Sequence, residues 1–92
     1  MGTRIEDPDA VTPRLSETEY RDRLRELPPS AKLVARVLEA EGALARGELA
    51  EESLLPERTV RYALNRLEEH DLVERQYSLT DARKQMYAVT AQ

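Results

Sequence analysis

The chain has 92 residues, enough for one hydrophobic core, and carries 14 Lys+Arg against 18 Asp+Glu, a formal net charge of −4. It contains no Cys, Phe or Trp, which excludes disulfides, thiolate nucleophiles and thiolate metal sites and leaves a core of Leu, Val, Ala and Tyr. No apolar run approaches the roughly 20 residues of a membrane-spanning helix and the start lacks a signal-peptide core, so a cytoplasmic protein without a membrane partner is expected.

Residues 1–15 (MGTRIEDPDAVTPRL) are polar, contain Pro8 and Pro13 and show no period; a flexible tail is expected. Ser16-Glu17-Thr18-Glu19 has the capping-box form, with Ser at the cap and Glu three residues on. The helix it opens should run through 16–27 and stop before Pro28-Pro29. Glu17 with Arg21, and Glu19 with Arg23, have the spacing of supporting ion pairs. The only apolar stripe of this helix is Tyr20, Leu24 and Leu27, which must pack on something beyond the helix itself.

A second helix is expected over 29–41, ended by Gly42. Its apolar residues, Ala31, Leu33, Val34, Ala35, Val37 and Leu38, span an arc of roughly 200°, about twice what one core contact needs. One half can lie under a later helix. The other can take the Tyr20 stripe, from the same chain or from a second subunit. On this argument Tyr20, Leu24 and Leu27 are candidate dimerisation residues and 16–27 a dimerisation element; the rival is a monomer in which the helix folds back on its own domain. Ala43-Leu44-Ala45 fits a short strand.

The segment 49–73, LAEESLLPERTVRYALNRLEEHDLV, reads as a short helix, a tight turn, a second helix and the start of a strand. The helix 57–70 places Val60, Ala63, Leu64 and Leu67 on one face at i, i+3, i+4, i+7 spacing. Arg58, Tyr62 and Asn65 fall within roughly 60° of one another on the opposite face, with Arg61 on their flank. All of these side chains hydrogen-bond to base edges or phosphates, and no acid interrupts them. Runs 72–77 and 85–90 mix apolar and polar residues as strands do, and 78–84, Ser-Leu-Thr-Asp-Ala-Arg-Lys, is a polar, basic connection between them. The net charge opposes DNA binding, but its distribution does not. Arg58, Arg61 and Arg66 stand in an acid-free segment, Arg75, Arg83 and Lys84 face only Asp81, and the acids gather at 39–41, 48–52 and 68–69.

Together these elements form a mainly α fold with a small β-hairpin (α+β), a winged helix-turn-helix over 28–92 with an extra N-terminal helix. At this point the chain resembles the winged helix-turn-helix regulators of the MarR type. The residues that carry the resemblance are Leu49-Ala50, Thr59-Val60, Leu64-x-x-Leu67-Glu68, Leu72-Val73, Asp81-x-Arg83-Lys84 and Val89-Thr90. Segment 28–92 is most similar to small, acidic members of halophilic archaea, and twelve arginines against two lysines suit a high-salt cytoplasm. Two positions depart from the family pattern. Leu54 stands where the turn usually has Gly, so a differently shaped turn is expected, and Asp71 stands where Gly usually ends the recognition helix, a milder change because Asp tolerates the left-handed conformation.

The resemblance implies a sequence-specific, double-stranded DNA-binding transcriptional regulator, with helix 57–70 in the major groove and the wing 78–84 on backbone or minor groove. Candidate DNA-binding residues are Arg58, Thr59, Arg61, Tyr62, Asn65, Arg66, Arg83 and Lys84. Each has a plainer reading. The arginines and Asn65 form a solvated helix face, Tyr62 packs on the wing, Thr59 satisfies first-turn donors, and Arg83 and Lys84 are turn residues. His70, the only histidine, suits a helix C-terminus. The alternative function is a winged-helix protein-interaction module without DNA readout. An enzyme is excluded on inventory, with no phosphate loop, metal-ligand spacing or nucleophile–base set. No cofactor or metal is expected, and no small-molecule effector is assigned.

Overall fold

A computed structural model describes residues 15–81 and 83–90. The expected tail therefore lies outside the described residues except for Leu15, which is partly buried against the core. The elements run α1 (Glu17–Arg25), α2 (Pro29–Glu41), β1 (Leu44–Ala45), α3 (Arg46–Ser53), α4 (Glu57–Glu69), β2 (Val73–Tyr77) and β3 (Gln85–Val89). The three strands form an antiparallel sheet in the order β1-β3-β2, with Leu44 opposite Tyr87 and Val73 opposite Val89. This is the α+β winged helix-turn-helix with an additional helix in front of it.

One core joins the elements. Ala31, Val34, Ala35 and Leu38 of α2 meet Leu49 of α3, Val60, Ala63, Leu64 and Leu67 of α4, and Leu72, Val73 and Tyr87 of the hairpin. The wide apolar arc of α2 is used on more than one side, although Leu33 stays exposed. Tyr20, Leu24 and Leu27 are buried within the same chain. The candidate dimerisation stripe is thus covered intramolecularly, and in this conformation it offers no free surface to a second subunit.

Polar contacts fix α1 where the apolar stripe places it. Ser16 Oγ accepts from Glu19 N and Glu19 Oε1 accepts from Ser16 N, both at 3.1 Å, which completes the capping box. The Tyr20 hydroxyl donates to Glu39 Oε2 at 2.6 Å, while Arg36 donates to Glu39 Oε1 at 2.7 Å. Burial, with the Glu39 carboxylate second, pushes the Tyr20 phenol well above its ordinary value, so it remains a donor. Glu19 and Arg23 do not form the pair that their spacing suggests. Arg23 instead donates to the His70 carbonyl at 2.9 Å and lies 3.7 Å from Asp71, clasping α1 to the end of α4.

The turn between α3 and α4 keeps its tight form despite Leu54. That residue takes φ 64, ψ 22, and its N–H donates to Ala50 O as a left-handed helix cap. The expected change of turn shape is therefore corrected, because the leucine accepts the left-handed conformation and projects into solvent. Asp71 likewise has φ 60, and its N–H donates to Glu68 O as the chain leaves α4 for β2. Glu48 ties the wing to α3. Its carboxylate accepts from Ala45 N at 2.8 Å and from Lys84 Nζ at 3.4 Å.

Leu54→Gly removes the left-handed penalty on a branched side chain that packs on nothing, and retains a net gain of about 0.5–1 kcal/mol after the glycine's own entropy cost. Thermal unfolding should show a Tm a few degrees higher, and an unchanged or lower Tm contradicts the strain. For Glu48, the Ala45 N–H bond, followed by Lys84, holds the carboxyl below its ordinary 4.5. A depressed folded pKa contributes stability that is present above the ordinary value and lost as pH falls through the folded one. The stability difference between wild type and Glu48→Gln should therefore shrink between pH 6 and pH 3, as read by denaturant unfolding.

Candidate nucleic-acid interface

The position of the site follows from α4. Pro56 precedes the helix in extended conformation, its carbonyl accepting from the N–H groups of Thr59 and Val60 at 3.0 Å. Burial of Val60, Ala63, Leu64 and Leu67 against α2 and α3 then forces the opposite face outward. Arg58, Arg61, Tyr62 and Asn65 are all exposed. The sequence-predicted polar face exists as a single surface, and among the described residues Arg58 and Arg61 have no ion pair.

Thr59 and Arg66 sit differently. Thr59 is half-buried at the edge of the face. Arg66 is also half-buried; it donates to the Tyr62 hydroxyl at 3.3 Å and its Nε lies 3.5 Å from Glu69. It braces Tyr62 from behind rather than standing beside Asn65. Tyr62 itself is 48% exposed, so its ring is open to a partner.

In the wing, the Ser78 N–H donates to Lys84 O at 3.0 Å and closes the loop. Ser78 Oγ accepts from Thr80 N and Asp81 N, and Asp81 Oδ1 accepts from Arg83 N at 3.1 Å. The Arg83 guanidinium is 3.6 Å from the same carboxylate, yet its side chain is 94% exposed. Asp81 thus orients Arg83 without burying its charge. Lys84 points back toward Glu48, a contact that pattern reading missed because the two residues are 36 positions apart.

Between α4 and the sheet lies a cleft of about 190 Å³ lined by Arg46, Arg61, Leu64, Asn65, Arg75, Gln85 and Tyr87. No acid lines it. Arg75 sits opposite Tyr87 across the ladder, with its guanidinium 5.9 Å from the ring centroid, and is held by Glu68 at 2.6 Å and 3.2 Å. Arg46 was not among the sequence candidates. A signal for it was present: it is the first residue of α3, where a positive charge opposes the helix dipole. Its place beside Arg61 extends the basic surface from α4 onto α3.

A second basic concavity, of about 200 Å³, lies at α1 and α2, where Arg21, Arg25, Lys32 and Arg36 surround Leu24. Two of its four cations are already engaged, Arg25 by Asp22 at 3.1 Å and Arg36 by Glu39. No group of three or more His, Cys, Asp or Glu among the described residues is placed to hold a metal ion. No helix among them is long and apolar enough to cross a membrane.

Solved structures share this architecture. A probable transcriptional regulator from Pseudomonas aeruginosa superposes with TM-score 0.67 at 16% identity, over 78% of this chain and 55% of its own. BpsR of Bordetella bronchiseptica, whose DNA binding is regulated by 6-hydroxynicotinic acid, gives TM-score 0.68 at 20% identity, over 79% of this chain and 54% of its own. YusO of Bacillus subtilis gives 0.65 at 24% identity, over 80% and 54%. The chain thus spans about half the length of these proteins, and at such identities the likeness is one of fold. No curated protein matches the sequence. The model of the MarR family matches residues 26–84, which takes in α2, the helix-turn-helix and most of the wing, and the chain therefore belongs to the MarR family.

Proposed function

We propose that the protein is a sequence-specific, double-stranded DNA-binding transcriptional regulator. The observation that carries this reading is the acid-free surface formed by Arg58, Arg61, Tyr62 and Asn65 on α4, continuous with Arg46 and Arg75 in the cleft beside the wing. Helix α4 enters the major groove, where Arg pairs with guanine O6 and N7 and Asn with adenine N6 and N7, each in two-pronged geometry. A carboxylate-bearing protein partner would satisfy the arginines but makes no comparable use of Asn65, so the protein-interaction alternative is not favoured.

Thr59 stands at the edge of the readout face, and Arg66 supports Tyr62. The wing follows the adjacent backbone or minor groove through Arg83. Lys84 joins it there, since its exposed contact with Glu48 is of the kind worth only about 0–1 kcal/mol and readily exchanged for a phosphate. One winged helix buries only about 600–1,000 Å² on DNA, so we place two on a near-palindromic site, as a homodimer with recognition helices roughly 34 Å apart. The subunit contact lies outside Tyr20, Leu24 and Leu27, which the fold of one chain already covers. The first helix completes the domain organisation as an intramolecular brace. Net charge −4 with twelve arginines and two lysines supports a salt-rich cytoplasm of halophilic archaeal type as its setting.

The test is selection from randomised duplex DNA at low and high potassium, followed by variants on the enriched site. Arg61→Ala and Asn65→Ala should each weaken specific binding about 5- to 150-fold, the equivalent of about 1–3 kcal/mol of base discrimination, with circular dichroism unchanged. Unaltered affinity and motif in both variants would remove α4 from the readout. Arg83→Ala should lower affinity for all duplexes alike and flatten the salt dependence by about one unit of slope. A loss confined to one base position at constant slope means that the wing reads sequence instead.

A further inference from the structure

The wing carries two large apolar side chains that lie outside the core. Leu79 is fully exposed and Tyr77, two residues before it, is 66% exposed. Single exposed apolar residues are common on protein surfaces and need no function. These two differ because the backbone holds them out. Ser78 Oγ accepts from Thr80 N at 3.2 Å and Asp81 N at 3.3 Å, and the Ser78 N–H closes the loop onto Lys84 O. Leu79 lies between those anchors, so little loop entropy remains to be lost when its side chain is buried. Tyr77 is opposite Gln85, and Arg75 opposite Tyr87, in the same ladder. Arg75, Gln85 and Tyr87 line the cleft shared with Arg61 and Asn65, so Tyr77 belongs to the strand face that looks toward the recognition helix.

The charge beside the pair fits one partner. The Arg83 guanidinium is almost wholly exposed at the same loop, and the neighbouring acid, Asp81, is occupied by the Arg83 N–H and side chain. An apolar tip next to an oriented arginine matches a DNA minor groove, whose walls are deoxyribose and whose floor is electronegative.

We infer that Leu79 is a wedge that enters the minor groove beside the recognition site, with Tyr77 packed on the sugar wall behind it and Arg83 supplying the attraction, and that it opens a base step there. The inference rests on the DNA-binding reading above. The step is a flexible pyrimidine–purine one, TA or CA/TG, because these unstack at least cost. The duplex kinks away from the wing, toward the major groove, by an angle in the range of roughly 20–90°. The wing thereby adds sequence preference at a position where no hydrogen bond to a base is made.

The experiment uses the full chain and a duplex enriched from random sequence. 2-Aminopurine is scanned through the flanks of the site to report unstacking, and end-labelled duplexes report bending by energy transfer. Wild type should brighten 2-aminopurine at one flanking step of each half-site and shorten the end-to-end distance. Leu79→Ala should abolish both signals and lower affinity about tenfold, the part of a leucine's burial left after the cost of unstacking. Circular dichroism and Tm should not change, because Leu79 touches no other part of the fold. Arg83→Ala should weaken binding yet leave the 2-aminopurine signal at saturating protein. Tight binding of wild type to a straight, stacked duplex overturns the wedge alone, whereas failure to bind any duplex overturns the DNA-binding reading with it. If wild type self-associates without DNA and Leu79→Ala does not, the tip is a contact between copies and the wedge is wrong.

Discussion

The packing of α4 on α2 is the constraint from which the rest of the interface follows. Val60, Leu64 and Leu67 are almost wholly removed from solvent, each contributing about 1.5–3 kcal/mol of burial. With 3.6 residues per turn, that burial leaves no choice of direction for Arg58, Arg61, Tyr62 and Asn65. Arg66 braces Tyr62, but the exposed face as a whole is not set by contacts of its own. It is aimed by the core, and the arginines on it remain unpaired because their position is settled elsewhere.

Arginine in this chain serves two purposes, and geometry separates them. Arg23, Arg36 and Arg75 are engaged in specific bonds, to the His70 carbonyl, Glu39 and Glu68 respectively, and each links or steadies an element. Arg58, Arg61 and Arg83 project from exposed positions on α4 and at the wing tip. An acidic protein can thus present a basic surface without a basic composition: Glu39 and Glu68 are spent on the first group, Arg58 and Arg61 meet no acid among the described residues, and Asp81 orients Arg83 while leaving it exposed.

Much of this was legible in the residues. The bounds of α2 follow from Pro29 and Gly42, those of α4 from its i, i+3, i+4, i+7 pattern, and the hairpin from two short mixed runs around a polar loop. What was not legible depends on residues brought together from far apart. Arg23 meets His70 across 47 positions and Lys84 meets Glu48 across 36, and no local period encodes either. The same reason hid the fate of Tyr20. Its stripe required cover, but only the placement of Glu39 on α2 shows that the cover lies in the same chain. Leu54 was misread for a different cause. Conformational cost argues against leucine in the left-handed region, yet an exposed turn bears that cost when the helices on either side are well packed.

The strand order β1-β3-β2 has a consequence for how the molecule is made. The central strand, Gln85–Val89, comes after both of its neighbours in chain order, and both edge strands pair with it alone. During synthesis neither edge strand has its partner until Gln85–Val89 has been made. Until β3 arrives, β1 and β2 present open edges and Tyr87 is missing from the core. The sheet therefore cannot be built strand by strand: one late strand closes both edges.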